Sequence, residues 1–270
     1  MAEVPEVETL VRDLQGAVIG RTIVQVTVAL PAAVRFPEPD EYAAMLRGRT
    51  ICAAQRWAKH ILLPLSDDLV LEAHLMLWGT LALVPTSRPL GRETLVIWHL
   101  DDDEDLRFTD TLGYARTGVA LLPELVERLD LASLGPDALD PTFDAAVLER
   151  QLARRRGVLK SVLLNQRSVA GLGNRDADES MWLAGIDPRR SAASLAQDEI
   201  TLLHAAMIQI LNEGLDLRGT QRDLFGRQGQ AKHRRYVFER GGKPCPRCAT
   251  PIAHLRIGGR NTHYCPQCQR

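Results

Sequence analysis

No apolar run among the 270 residues approaches the roughly 18 needed to cross a bilayer. The opening stretch MAEVPEVETL is acidic where a secretory leader would be basic and then apolar. These two absences imply a soluble, cytoplasmic chain with no membrane partner. Internal repeats and low-complexity tracts are also missing. Net charge is almost absent, at -1, and only five cysteines occur.

The near-zero total conceals a division. Residues 1–150 hold 13 basic against 24 acidic side chains, a balance of -11, whereas 151–270 hold 20 against 10, a balance of +10. The last fifty residues carry 11 basic and 2 acidic side chains, a concentration that suits a polyanion, although a solvated basic tail has the same composition. With 45% hydrophobic residues the chain can bury a substantial core, and its length fits two domains.

Four of the five cysteines form Cys245-x-x-Cys248 and Cys265-x-x-Cys268, with 16 residues between the pairs. Such paired spacing presents four thiolates tetrahedrally to Zn²⁺; two disulfides are the alternative, and the missing leader argues against them. Cys52, alone in an apolar stretch, reads as core filler.

Val7, Leu10, Val11, Leu14 and Val18 recur at helical spacing, with Pro5, Glu6 and Glu8 in a first turn and Gly20 as the stop. A helix that begins this early and docks on a core holds the residues before it in one place. Runs rich in Val, Ile, Leu and Thr follow at 22–30, 60–65, 69–75, 80–84, 94–100 and 106–109, as in a sandwich or barrel of antiparallel strands. Helical patterning returns near 142–155, 158–166, 175–184 and 196–213, after a connection at 134–141. The fold class is therefore α+β. The expected domains are a β-sandwich with a leading helix at 1–133, a linker at 134–141, a helical domain at 142–240, and a zinc-finger hairpin at 241–270.

Val169-Ala170-Gly171-Leu172-Gly173-Asn174 joins two short helices, and its glycines would let backbone N–H groups approach a phosphate; a plain helix connection is the bland alternative. Between the cysteine pairs, Gly258-Gly259 reads as a hairpin turn with Arg260 near its tip, where a guanidinium can clamp a phosphate or stand free in solvent.

Val4-Pro5-Glu6-Val7-Glu8-Thr9, the turn from Val169 to Asn174, and Gly241-Gly242-Lys243-Pro244-Cys245 through Cys268 together resemble the formamidopyrimidine-DNA glycosylase/endonuclease VIII family. The resemblance runs over essentially the whole chain. It implies an N-terminal β-sandwich, a helix–two-turns–helix domain and a zinc finger, with DNA bound between the domains. The implied activity is that of a base-excision glycosylase and abasic-site lyase acting, as a monomer at the bacterial nucleoid, on duplex DNA with damaged bases or abasic sites. Glu3 would be the general acid/base, Lys59 a phosphate-binding or catalytic lysine, and His74, Lys160, Asn174 and Arg260 DNA contacts. Asp176, directly after Arg175, would bring negative charge close to the DNA path.

Where relatives carry an N-terminal proline nucleophile, this chain has Ala2, exposed as the terminus once Met1 is removed. An α-amine with a reference pKa of about 7.7–8.0 is nucleophilic at neutral pH and can form a Schiff base. His74-Leu75-Met76-Leu77-Trp78-Gly79 is bulkier than the corresponding family loop, and Asp110-Thr111-Leu112-Gly113-Tyr114-Ala115 lacks two arginines that relatives use on the partner base. Met76, Leu77, Trp78 and Tyr114 are the expected apolar wedges, with weaker discrimination of the opposite base as the consequence. A catalytically attenuated paralogue that only binds damaged DNA is one alternative, and a zinc ribbon that contacts proteins is another, less suited to the charge split.

Overall fold

A computed structural model describes residues 2–270; Met1, whose removal is expected from the sequence, lies outside the described residues. The chain divides into two compact units. One runs to Ala132 and takes in Arg218–Gly229, and the other comprises Ser133–Leu217 and Gln230–Arg270. Two differences from the expected boundaries follow: the finger belongs with the helical unit, and twelve residues after the last long helix return to the first.

The first unit opens with α1 (Val4–Ala17), whose Val7, Leu10, Val11 and Leu14 point inward at i, i+3, i+4 and i+7 spacing and are all buried. They join one core with strand residues such as Ile61, Leu71, Trp98 and Phe108. Two antiparallel sheets make the sandwich. One orders β2 (Arg49–Thr50), β1 (Thr22–Val28), β7 (Thr94–Leu100), β8 (Glu104–Thr109) and β6 (Thr80–Pro85); the other orders β3 (Gln55–Trp57), β4 (His60–Pro64), β5 (Leu69–His74) and β9 (Arg116–Leu121). The six strands read from runs rich in Val, Ile, Leu and Thr sit where expected within a residue or two. Helices α2 (Pro39–Leu46) and α3 (Leu122–Arg128), and strands β2, β3 and β9, carried no such signal. Gly118 lies inside β9, and six residue pairs with β5 hold the strand in place.

The returning segment 218–229 lies on α1. Glu6 and Asp13, seven residues and so two turns apart, share one side of that helix. The Glu6 Oε1 accepts from the Thr220 N–H at 2.7 Å and its hydroxyl at 2.9 Å. Asp13 takes Arg218 Nη2 at 2.6 and 2.7 Å. Gly219, at φ +66°, faces the Glu6 side chain so closely that a Cβ would stand 2.8 Å from its Cγ, so no larger residue fits. The fully buried Leu224 enters the sandwich core, and its carbonyl accepts from Leu83 N–H at 2.9 Å. Burial raises the Asp223 carboxyl, but bonds from Arg227 and Arg218 outweigh it and hold the group below its ordinary value.

In the second unit, α4 (Ala145–Ala153), α5 (Leu159–Leu164), α6 (Asn174–Ala184) and α7 (Gln197–Asp216) precede the hairpin of β10 (Ala253–Ile257) and β11 (Arg260–Tyr264). Asp144 caps α4 by accepting from Val147 N–H at 2.7 Å. The finger is fastened to the end of α6. Arg247 lies over the Trp182 ring, 4.0 Å from its centroid, and donates to the Trp182 and Leu183 carbonyls at 2.9 Å each, satisfying acceptors that a helix end leaves open.

If Leu224 anchors the strap, Leu224→Ala should cost about 2–5 kcal/mol, the usual range for emptying a buried leucine site. Hydrogen exchange should then quicken first at 218–229; unchanged protection there would contradict the anchoring.

Candidate DNA-repair site

The first unit carries a nucleophile candidate at the head of α1. Glu3 is the residue preceding the helix, and its N–H donates to Glu6 Oε2 at 2.9 Å, so the same carboxylate holds both the start of the chain and the strap. Ala2 is only 4% exposed in the unprocessed chain, where its nitrogen is a peptide amide, and Glu3 is 2% exposed. The methyl of Ala2 belongs to the sandwich core. The residues at the head of α1 are thus fixed by packing.

Lys59 sits in the tight turn between β3 and β4, where Ala58 adopts φ +53°. Arg56 ties that turn to α1, donating to Glu8 Oε2 at 2.8 Å and to the Ala58 carbonyl at 3.0 Å. Burial raises Glu8, yet Arg56 and Arg12 hold it below its ordinary value, so it stays an anion through neutral pH. His74 closes β5. Its Nδ1 accepts from the Met76 N–H at 3.0 Å, and burial, then His60, Arg35 and Lys59, keep the ring well below the usual histidine range. Lys59 and His74 therefore lie close enough for one charge to act on the other.

Two turns emerge side by side beyond these strands. β5 pairs with β9 and β6 with β8, so the turns 75–79 and 110–115 link the two sheets at one end. A Cβ on Gly79 would stand 2.7 Å from that of Ala115, which shows how closely they pack. The buried Asp110 carboxylate accepts from Leu112, Tyr114 and Ala115 N–H at 2.8, 2.9 and 2.8 Å, making the second turn rigid. Trp78 is 56%, Leu112 52%, Tyr114 50% and Met76 36% exposed. Leu77 is half-buried. Leu112 was not singled out from the sequence; the available signal was a large apolar residue between Thr111 and Gly113 of a turn.

In the second unit Asn174 begins α6, and its Nδ2 donates to the Asn261 carbonyl at 3.0 Å. The preceding turn is bracketed by one side chain: Gln166 Oε1 accepts from Gly171 N–H at 2.9 Å while its Nε2 donates to the Leu172 carbonyl at 3.0 Å. Arg260 is exposed at the hairpin tip, beside Asn261.

Lys160 requires correction. It is fully buried, paired with the equally buried Asp178 at 2.6 Å, and donates to the same Asn261 carbonyl at 2.8 Å. A side chain enclosed this way supports the residues around Arg260 and does not face solvent. Asp176 is a second correction. It is buried against Arg175, with Nε to Oδ1 at 2.8 Å, so its charge is neutralised inside the unit.

The sulfurs of Cys245, Cys248, Cys265 and Cys268 all lie within 4.8 Å of one another. The pairs Cys245–Cys268 and Cys248–Cys265 stand 3.9 and 3.5 Å apart, too far for S–S bonds and close to the ~3.8 Å between corners of a tetrahedron with ~2.3 Å Zn–S bonds. The four ligands fit one structural zinc, and the disulfide alternative fails.

A β-sandwich headed by a buried helix, joined in one chain to a helical unit with a zinc hairpin, defines a zinc-finger protein built to grip an anionic polymer. Residues 1–117 match the formamidopyrimidine-DNA glycosylase N-terminal domain, 134–225 its H2TH domain, and 242–270 the zinc finger found in FPG and IleRS. A formamidopyrimidine-DNA glycosylase of Moorella thermoacetica is 42% identical over 260 residues, covering 95% of each chain, and that of Geobacillus kaustophilus is 38% identical over the full length of both. The Lactococcus lactis Fpg bound to DNA containing an abasic site superposes with a TM-score of 0.92 at 29% identity, covering both chains completely. Its complex with Fapy-dG DNA gives 0.92 over 99% of this chain and all of that one. The chain belongs to the formamidopyrimidine-DNA glycosylase family.

Arg260→Ala should weaken duplex binding without shifting the melting temperature, because the side chain makes no buried contact. The slope of log K against log[salt] should fall by about 0.9, the loss of one phosphate contact; an unchanged slope would remove Arg260 from the interface.

Proposed function

We propose that this chain excises oxidised or ring-opened bases from duplex DNA and cuts at the resulting abasic site, with the Ala2 amine as nucleophile. It is a DNA glycosylase and abasic-site lyase of base-excision repair. The observation that carries the Ala2 assignment is the fixed head of α1, where Ala2 packs in the core and Glu3 is tied to Glu6. A base flipped from the stack exposes its sugar C1′. The neutral amine attacks C1′, the base leaves with a proton from an acid such as Glu3, and the ring-opened sugar becomes a Schiff base. Loss of a C2′ proton then expels the 3′ phosphate. Alanine gives an imine that must be protonated to draw electrons, whereas proline's iminium is charged from the outset, so Glu3 carries more of the work here.

Lys59 and His74 hold phosphate in the first unit, and Asn174 and Arg260 in the second; Lys160 acts from behind through Asn261. Trp78, Leu112, Tyr114 and Met76, with Leu77 behind them, fill the space a flipped base leaves. Among the described residues no helix is long and apolar enough to cross a membrane; the relatives are bacterial, and a place at the nucleoid would follow from DNA as the substrate. The binding-only alternative is not favoured, because the family match spans the domain that would carry the chemistry.

Borohydride added to the protein with abasic DNA should trap an adduct on the Ala2 nitrogen, located by mass spectrometry. Trapping should accelerate with rising pH until the amine is deprotonated, about 7.7–8.0 for an unperturbed terminus. Strand cleavage without that adduct would overturn the nucleophile. A second measurement concerns the partner base. Apolar wedges offer no bidentate contact of the kind worth about 1–3 kcal/mol, so excision rates opposite the four bases should lie within about tenfold of each other. A hundredfold preference would show that another group reads that base.

A further inference from the structure

His60 and His74 are cross-strand partners in β4 and β5, and their rings meet edge to face, 4.7 Å between centroids at 66°. Behind them lies Glu72, on the same face of β5 as His74 and completely buried. Its Oε1 is 2.7 Å from His60 Nδ1, while its Oε2 has no hydrogen-bond partner among the described residues. A carboxylate out of water needs a donor, and His60 supplies it, so the Nδ1 hydrogen of His60 is committed to Glu72.

We infer that His60, anchored by Glu72, is a positioning residue for His74 that fixes the ring as a neutral donor presenting its Nε2–H. The inference rests on the reading of His74 as a phosphate contact and adds how that contact is kept in one state. The Met76 N–H donates to His74 Nδ1, so that nitrogen must hold a lone pair and the ring proton must sit on Nε2. Protonating His74 would break this bond by setting two hydrogens against each other.

The groups around the ring oppose protonation as well. Lys59 from the β3–β4 turn, Arg35 from the segment before α2 and the polarised His60 ring all disfavour another positive charge there, on top of the burial. Arg116, the cross-strand neighbour on β9, has its guanidinium on the Gly113 and Ala115 carbonyls at 2.7 and 2.9 Å. Among the described residues Glu72 is the acid packed against this cluster, and its Oε1 is bonded to His60. Tyr42, near Glu72, is kept protonated by burial and adds no charge. His74 therefore offers the same donor on either side of pH 6.5, and the charge on the phosphate is met by Lys59 and Arg35.

The test reads the His74 ring directly in the zinc-loaded full chain, by long-range ¹H–¹⁵N correlation from pH 5 to 8. The wild type should show a neutral Nε2–H ring well below the ordinary midpoint of about 6.5. His60→Phe keeps an edge-to-face ring but removes the donor, and His60→Asn keeps a donor for Glu72 but removes the ring. Both should raise the His74 midpoint by about one unit or more, and make affinity for abasic DNA increase as pH falls from 7 to 5.5. That gain should vanish when His74→Phe is added. An Nδ1–H tautomer in the wild type, or a midpoint unmoved in both His60 variants, would overturn the inference. If the midpoint moves but His74→Phe binds abasic DNA as the wild type does, the positioning stands and the phosphate reading of His74 falls.

Discussion

Everything in the first unit is referred to the burial of helix α1. Val7, Leu10 and Leu14 are fully or almost fully enclosed, and each such side chain contributes on the order of 1.5–3 kcal/mol when removed from water. A helix held that firmly cannot fray at its first turn, so Ala2 and Glu3 inherit its position. The same rigidity serves the polar face. Glu6 and Asp13 are carried at fixed separation, and the strap 218–229 is bonded to both. One helix thereby sets the place of Ala2, Glu3 and a segment contributed from two hundred residues away.

Buried carboxylates do much of the remaining organisation. Asp110 gathers three backbone N–H groups and stiffens the turn that exposes Leu112 and Tyr114. Asp178 holds Lys160 and also accepts from the His263 N–H at 2.9 Å, fixing β11 next to Arg260. Glu179 accepts from Tyr236, Val237 and Phe238 N–H at 2.8, 3.1 and 2.7 Å; burial nevertheless raises it. An isolated buried anion is expensive, and each of these is stabilised by converging donors. Exposed groups are then free to meet DNA, because their backbones are set from beneath.

With Ala2 as the proposed nucleophile, the chemistry would differ from that of a proline-headed relative at a defined step. A primary amine supports the same covalent intermediate, but its imine gains its electron-drawing power only on protonation. The wedge turns differ in a parallel way: apolar surfaces fill space and stack, while guanidinium groups also read hydrogen-bonding edges. Neither difference changes the scaffold; on the proposed reading the first bears on protonation of the imine and the second on how the partner base is read.

Period and spacing along the chain were enough to determine the leading helix, six strands, four later helices and the zinc ligands. These signals are local: apolar repeats mark one buried face, and four cysteines at fixed spacing leave few uses. The basic C-terminal half and the motifs from Val4, Val169 and Gly241 likewise pointed to DNA. Only the tertiary structure decided that Lys160 and Asp176 turn inward, that Leu112 stands exposed, that β9 pairs with β5, and that 218–229 packs on α1. Each of these depends on a partner distant in sequence, and burial of a charge or exposure of a leucine is a property of those partners, which no local pattern encodes.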